Sequence, residues 1–262
     1  MPTETKGTQM QISSFSRVQQ SNLNDNNDAR LTLQANLALI ALLASSFLFI
    51  IFPNLDLAII RIFANGHNFP LSENWILLAI RDANRRLVIY LITIMIVFIA
   101  LYAVKPQKFN FVRPHKALFV ILTFLFGPFL TVQLLKSFIG RVRPRGLLEF
   151  GGTADFTPVW QYAAQCARNC SFPSGEAATA AATLSLIIIL PIKWRWIGLC
   201  ILTPILIFAS FNRVMFGAHF PSDVIVAWAI MCCLMTWLWR RITNNSKNID
   251  SLIESLGGQL TG

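Results

Sequence analysis

Charge is what this sequence is short of. Asp, Glu, Lys and Arg make up 13% of its 262 residues, against about 25% in an ordinary soluble domain, so much of the folded surface does not meet water. Histidine occurs three times and cysteine five times, and no group of them has metal-ligand spacing. Cys166 and Cys170 would need further ligands nearby, and their loop holds no His. No metal and no cofactor is expected. Cys200, Cys232 and Cys233 fall in apolar runs, where a thiol packs as a small hydrophobe; Cys166 and Cys170 leave a disulfide open, given an oxidising compartment. There is no internal repeat. The net charge of +10 is dispersed over loops, whereas a nucleic-acid footprint would gather it on one face, so no nucleic-acid partner is expected. Basic loops between apolar runs set topology or meet anionic lipid headgroups.

What is present is hydrophobic. Apolar residues make up 55% of the chain, the mean hydropathy is +0.56, and the runs approach the roughly 20 residues that cross a bilayer. The pattern predicts an all-α polytopic membrane protein of about six spans, near Leu31–Phe52, Leu87–Val104, Ala117–Leu135, Ala177–Leu190, Trp196–Phe211 and Val224–Leu238, the fourth and fifth short as drawn. One membrane domain over 31–242 is expected between a disordered cytoplasmic tail, 1–30, and a second tail, 243–262; the polar first thirty residues do not read as a secretory signal peptide. Leu55–Phe63, in the long connection Pro53–Arg86, suits a short amphipathic interfacial helix. Ile249, Leu252, Ile253 and Leu256 share a helical face that would suit a membrane surface. The two tails, Lys105–Lys116 and Lys193–Arg195 carry twelve Lys and Arg against ten in the opposite loops. Setting aside Lys136, Arg143 and Arg213, which chemistry claims below, leaves twelve against seven. The tails are then cytoplasmic and the loops after spans one, three and five lie outside.

Three short segments hold polar residues that a membrane protein does not keep without use. The first runs from Lys136 to Arg143 and Pro144, with Lys136 and Arg143 two helical turns apart and so expected on one face. The second is Ser171-Phe-Pro-Ser174-Gly175-Glu176. The third spans Arg213 to His219 and Asp223. In a six-span chain all three fall at one face of the membrane. Lys136, Arg143 and Arg213 offer charge and forked donors for phosphate oxygens. Ser174 suits a helix N-cap and Gly175 lets backbone N–H groups approach an anion. His219 and Asp223, four apart, suit a nucleophile with an orienting carboxylate.

These segments resemble the signature of the type 2 phosphatidic acid phosphatase superfamily of membrane lipid phosphatases: Lys, six residues, Arg-Pro; then Pro-Ser-Gly-His; then Ser-Arg, five residues, His, three residues, Asp. The first is complete, the third has Asn212 where Ser is usual, and the second has Glu176 where the family places His. The resemblance covers roughly Gln133–Ile230. It implies phosphohistidine chemistry on a membrane lipid, with His219 the nucleophile, Asp223 its orienter, and phosphate bound by Lys136, Arg143, Arg213 and the Ser174–Gly175 turn. Glu176 is then either a protonated carboxyl acting as general acid, or a sign that the leaving group needs little help. That points away from phosphatidic acid toward lipid A or a polyprenyl diphosphate, and the Pro-Ser-Gly-Glu variant resembles a bacterial lipid A phosphatase branch. The implied location is a bacterial inner membrane, with the site on the periplasmic face.

Plainer assignments cover the rest. Arg141 and Arg145 read as headgroup or surface contacts, His67 and His115 as ordinary loop residues, and Asp155 and Glu149 have no evident partner. A transporter would place charge near the midplane of broken, repeated helices, whereas these residues sit at span ends. A lipid-binding protein without catalysis, with Glu176 as its lesion, and a phosphotransferase passing phosphate to a second lipid are the remaining alternatives. The motifs specify neither the lipid nor the oligomeric state.

Overall fold

The computed structural model describes residues 4–261, with side chains described over 28–259. Helices α1 (Glu4–Ile51) and α2 (Asn54–Phe63) are followed by α3 (Trp75–Val104), α4 (Pro114–Phe124) and α5 (Val132–Ile139); then come α6 (Gly175–Thr183), α7 (Ile192–Met215), α8 (Pro221–Asn244) and α9 (Ser246–Thr261). Among the described residues there is no β-strand, only isolated bridges at Asn65–Asn68 and Leu147–Ala154. The chain is an all-α polytopic membrane protein. Most of the expected tail 1–30 lies outside the described side chains.

Among the described residues, five helical stretches are long and apolar enough to cross a membrane: Asp28–Ile51, Trp75–Val104, Pro114–Gly146, Ile192–Met215 and Pro221–Asn244. The fourth expected span is a shorter apolar helix, Gly175–Ile189, in which α6 continues as a 3₁₀ segment, Leu184–Ile189. The fifth span, expected to be short, is a full 24 residues in α7. The second begins twelve residues earlier than expected, at Trp75, where Asn74 accepts from the backbone N–H of Ile76 and Leu77 as an N-cap. Much of the connection expected over Pro53–Arg86 is therefore helix, and this extension carries Asn84 and Arg85 to the site.

α6 is the centre of the bundle. Ala177, Ala178, Ala180, Ala181 and Ala182 are all fully buried, and side chains this small let neighbouring backbones come close. It packs against α3, α4, α7 and α8. Pro at the first turn of α4 and of α8 starts each helix where a missing N–H costs nothing. Between α4 and α5 the helix widens into a π-helical segment, Leu125–Thr131, containing Pro128; such segments are rare and tend to occur at functional sites. A methyl group at Gly127 would overlap the Met231 thioether, so glycine there permits the close crossing of α8. Leu37, Phe47, Ile96, Ile201 and Ile205 are exposed on the flanks, where lipid would meet them.

α2 forms as expected, but it is not simply interfacial, because Asp56 and Ile60 are both completely buried. At the other end, α9 docks on α3 and α4. There Asp250 accepts from the His115 backbone N–H at 3.0 Å and faces its Nδ1 at 2.9 Å, so His115 joins two elements rather than standing free in a loop. Glu149 also has a partner, the Arg61 guanidinium.

Candidate active site

The chain turns sharply at the end of α5. Gly140 takes a left-handed conformation, φ 65°, and caps the helix. Arg143 lies beyond it in extended backbone, ψ 153°, so Lys136 and Arg143 do not share a helical face as expected. Both are instead held by the loop of 166–170. Lys136 is buried and its ammonium donates to the Cys170 carbonyl. Arg143 donates to the Asn169 carbonyl at 3.0 Å and to its side-chain oxygen at 2.7 Å. A Cys166–Cys170 disulfide closes that loop, which answers the question the sequence left open.

Ser174 caps α6, accepting from the Ala177 N–H at 3.3 Å, and its own N–H donates to the Asp223 carbonyl at 3.0 Å. Ser174 is fully buried behind the cap. Gly175 lines the adjacent cavity, and a methyl there would meet only Val132, at 3.7 Å. Between α7 and α8 the chain turns through Gly217, φ 58°, where any side chain would overlap the Phe69 ring. This turn drops His219 into the interior, fully buried, with its N–H on the Arg213 carbonyl at 3.2 Å.

His219 stands between two carboxylates. Its Nδ1 lies 3.6 Å from Asp223 Oδ2 and its Nε2 3.4 Å from Glu176 Oε2, separations looser than aligned hydrogen bonds, and neither nitrogen has a hydrogen-bond partner. The other oxygen of Glu176 pairs with Arg85 and lies 3.6 Å from Arg213 Nη2. Arg213 Nε and Nη1 are buried without partners, so part of its fork is unused. Asn212, the departure from Ser, donates to the Leu77 carbonyl at 2.8 Å and ties α7 to α3.

Arg141 corrects the sequence reading. Expected as a headgroup contact, it is completely buried. Nη1 donates to Asp223 Oδ1 at 2.6 Å and to Ser222 Oγ at 2.9 Å; Nη2 donates to Asp56 Oδ2 at 2.8 Å; and Nε donates to the Thr157 carbonyl at 2.8 Å. The Phe220 ring stacks 4.1 Å from its guanidinium carbon. Asp56 in turn accepts from the Ser222 N–H at 2.9 Å and hydroxyl at 2.6 Å. Burial holds the Asp56 carboxyl above the ordinary carboxylate range, against the pull of Arg141. Asp223 Oδ2 is fixed further by the Ser171 hydroxyl and by the Phe220 N–H at 2.8 Å. Asp223 is therefore locked before any substrate arrives.

A cavity of about 440 Å³ opens onto this cluster. Lys136, Arg85, Gly175 and Glu176 form its polar end, while Phe124 at the end of α4 and Pro128 of the π-helical segment contribute to an apolar wall. A cationic end joined to an apolar slot suits an amphipathic anion. Arg85 was missed in the sequence, where it is one of a pair of basic residues beyond the drawn end of a span.

A model of the PAP2 superfamily matches residues 116–247, half of the chain. The chain belongs to the PAP2 superfamily. It is 36% identical over 142 residues to a lipid A 4'-phosphatase of Rhizobium leguminosarum, covering 53% of this chain and 61% of that protein. A lipid A 4'-phosphatase of Francisella tularensis subsp. novicida is 29% identical over 72% of this chain and 86% of its own length. A lipid A 1-phosphatase of Rhizobium etli is 35% identical over 38% of this chain and 39% of its own. This PAP2 chain thus spans less than two thirds of the Rhizobium relatives it matches. No solved structure matches it significantly.

Proposed function

We propose that this PAP2 protein is a lipid phosphatase that hydrolyses a phosphate of lipid A, acting at the outer, periplasmic face of the inner membrane. The carrying observation is His219, buried with both ring nitrogens unbonded between Asp223 and Glu176, beside a cavity that joins cationic groups to an apolar slot. The relatives' names favour lipid A over a polyprenyl diphosphate.

In this mechanism the substrate phosphate takes the place of the Glu176 carboxylate against Arg85 and Arg213, with Lys136 and the Gly175 turn completing its cradle. Asp223, held by Arg141, keeps Nδ1 protonated and presents Nε2. Nε2 attacks phosphorus, and the bond to the lipid oxygen breaks. The phosphate, by taking over the guanidiniums and setting negative charge beside Glu176, draws a proton from solvent onto that carboxyl, and Glu176 passes this proton to the leaving oxygen. Glu176 then removes a proton from water, the hydroxide attacks the phosphohistidine, and inorganic phosphate leaves with His219 restored.

Purified protein offered lipid A, a polyprenyl diphosphate and phosphatidic acid tests this directly. Phosphate release should be fastest from lipid A, and His219→Ala should abolish it, a loss of about 10⁴-fold or more, while the variant still extracts and unfolds like the parent. Release by His219→Ala at near-parental rate would remove the mechanism.

A further inference from the structure

A second cavity, about 410 Å³, adjoins the first on the loop side. Its lining includes Arg143, Arg145, Arg168, Gln165 and Asn169, and no acidic side chain. Asn169 lines both cavities, so they share a wall. Arg143 is anchored to Asn169, but Arg145 and Arg168 are exposed, and their guanidiniums have no carboxylate or hydrogen-bond partner among the described residues. The mechanism above uses neither.

The positions of these arginines are fixed even though their heads are unpaired. Arg145 follows Pro144 and donates its backbone N–H to the Gly217 carbonyl at 3.0 Å, which moors it to the turn that carries His219. Arg168 and Asn169 ride on the short loop closed by the Cys166–Cys170 disulfide, with Asn169 in a left-handed conformation, φ 59°. Three guanidiniums around one cavity whose lining carries no carboxylate repel one another, and an anion relieves that repulsion. Forked N–H donors select oxyanions such as phosphate or carboxylate.

We infer that this cavity binds a second anionic group on the substrate's headgroup, so that the preferred lipid carries at least two. One phosphate is presented to His219 while a second phosphate or carboxylate of the same headgroup rests against Arg145 and Arg168. The inference builds on the lipid phosphatase reading and adds to it the residues that hold the headgroup's second anion. The shared wall at Asn169 sets the two groups on neighbouring parts of one headgroup.

The test uses the full-length protein in mixed micelles with two synthetic lipids of one acyl composition, a disaccharide lipid bearing two phosphates and the same lipid bearing one. The parent should favour the doubly charged lipid. Arg145→Gln/Arg168→Gln should lower kcat/KM for that lipid by about tenfold to a hundredfold, the range expected for one or two contacts to a charged group, chiefly through KM. The singly charged lipid should be hydrolysed equally by both proteins, and high salt should erode the parent's preference in the same way. Arg145→Glu/Arg168→Glu should weaken the doubly charged lipid further. Hydrolysis of both lipids with the same ratio in parent and variants would overturn the second site and leave the phosphatase reading standing. Hydrolysis of neither lipid by the parent would overturn both.

Discussion

At position 176 a carboxylate occupies the place where the family signature carries an imidazole, and its surroundings define what it can do. It meets Arg85 and Arg213 on one oxygen and His219 on the other. A carboxyl that delivers a proton matters most when the leaving oxygen is a poor one. Glu176→Gln, which keeps the shape and removes the proton, should therefore slow cleavage of an alkyl phosphate by about 10²–10⁴-fold and of an activated aryl phosphate by much less. Single-turnover rates across a leaving-group series give this reading without interference from product release. If Glu176 serves only to hold Arg85 and Arg213 in place, every substrate loses the same factor, and a flat series decides for that. The substitution from His was visible in the sequence. Its partner Arg85 was not, because the two are 91 residues apart and no local pattern links them.

Among the elements, the decisive link is between α2 and α8. Arg141 holds Asp56 of one against Asp223 of the other, and no solvent reaches any of the three. Such an arrangement adds little stability over a well-packed apolar core, but losing one partner strands a buried charge, at about 3–5 kcal/mol. Arg141→Ala should accordingly lower the unfolding free energy in detergent, read from the shift in denaturant midpoint multiplied by its slope, by an amount in that range, and Arg141→Lys should recover only part of it, since one ammonium cannot serve four acceptors in a plane. A second change, Asp56→Asn, should soften the Arg141→Ala defect by removing one stranded charge; additive losses would show that the two residues act independently. Sequence periodicity located the apolar cores of the spans, and Ser174 marked the start of α6. It could not tell Arg141 from Arg145, two basic residues four apart in the same loop, because burial of the first is decided by Asp56, 85 residues earlier. The same limit explains the misjudged face of Lys136 and Arg143: Gly140 breaks the helix between them, and a glycine at a span end reads equally as cap or as continuation.

For the molecule as a whole, the site's side of the membrane is the property that matters, and the outer face proposed above rests on the excess of basic residues on the tails and their companion loops. Asp155→Cys, at an exposed position in the loop that follows α5, should react with an impermeant thiol reagent added to intact cells once Cys166 and Cys170 are replaced by Ser. Lys108→Cys, exposed on the connection between α3 and α4, should react only after the cells are opened. The reverse pattern would turn the protein over. The cavity that reaches Glu176, the neighbour of His219, is also lined by Ile89 and Phe129, each 69% exposed. On the lipid phosphatase function proposed above, a lipid would slide in sideways past these two side chains with its tails never leaving the bilayer, and only inorganic phosphate would depart into water. Such an enzyme counts its substrate per unit of membrane area. Adding inert detergent or lipid to a fixed amount of substrate starves it, although nothing in the tube has been removed.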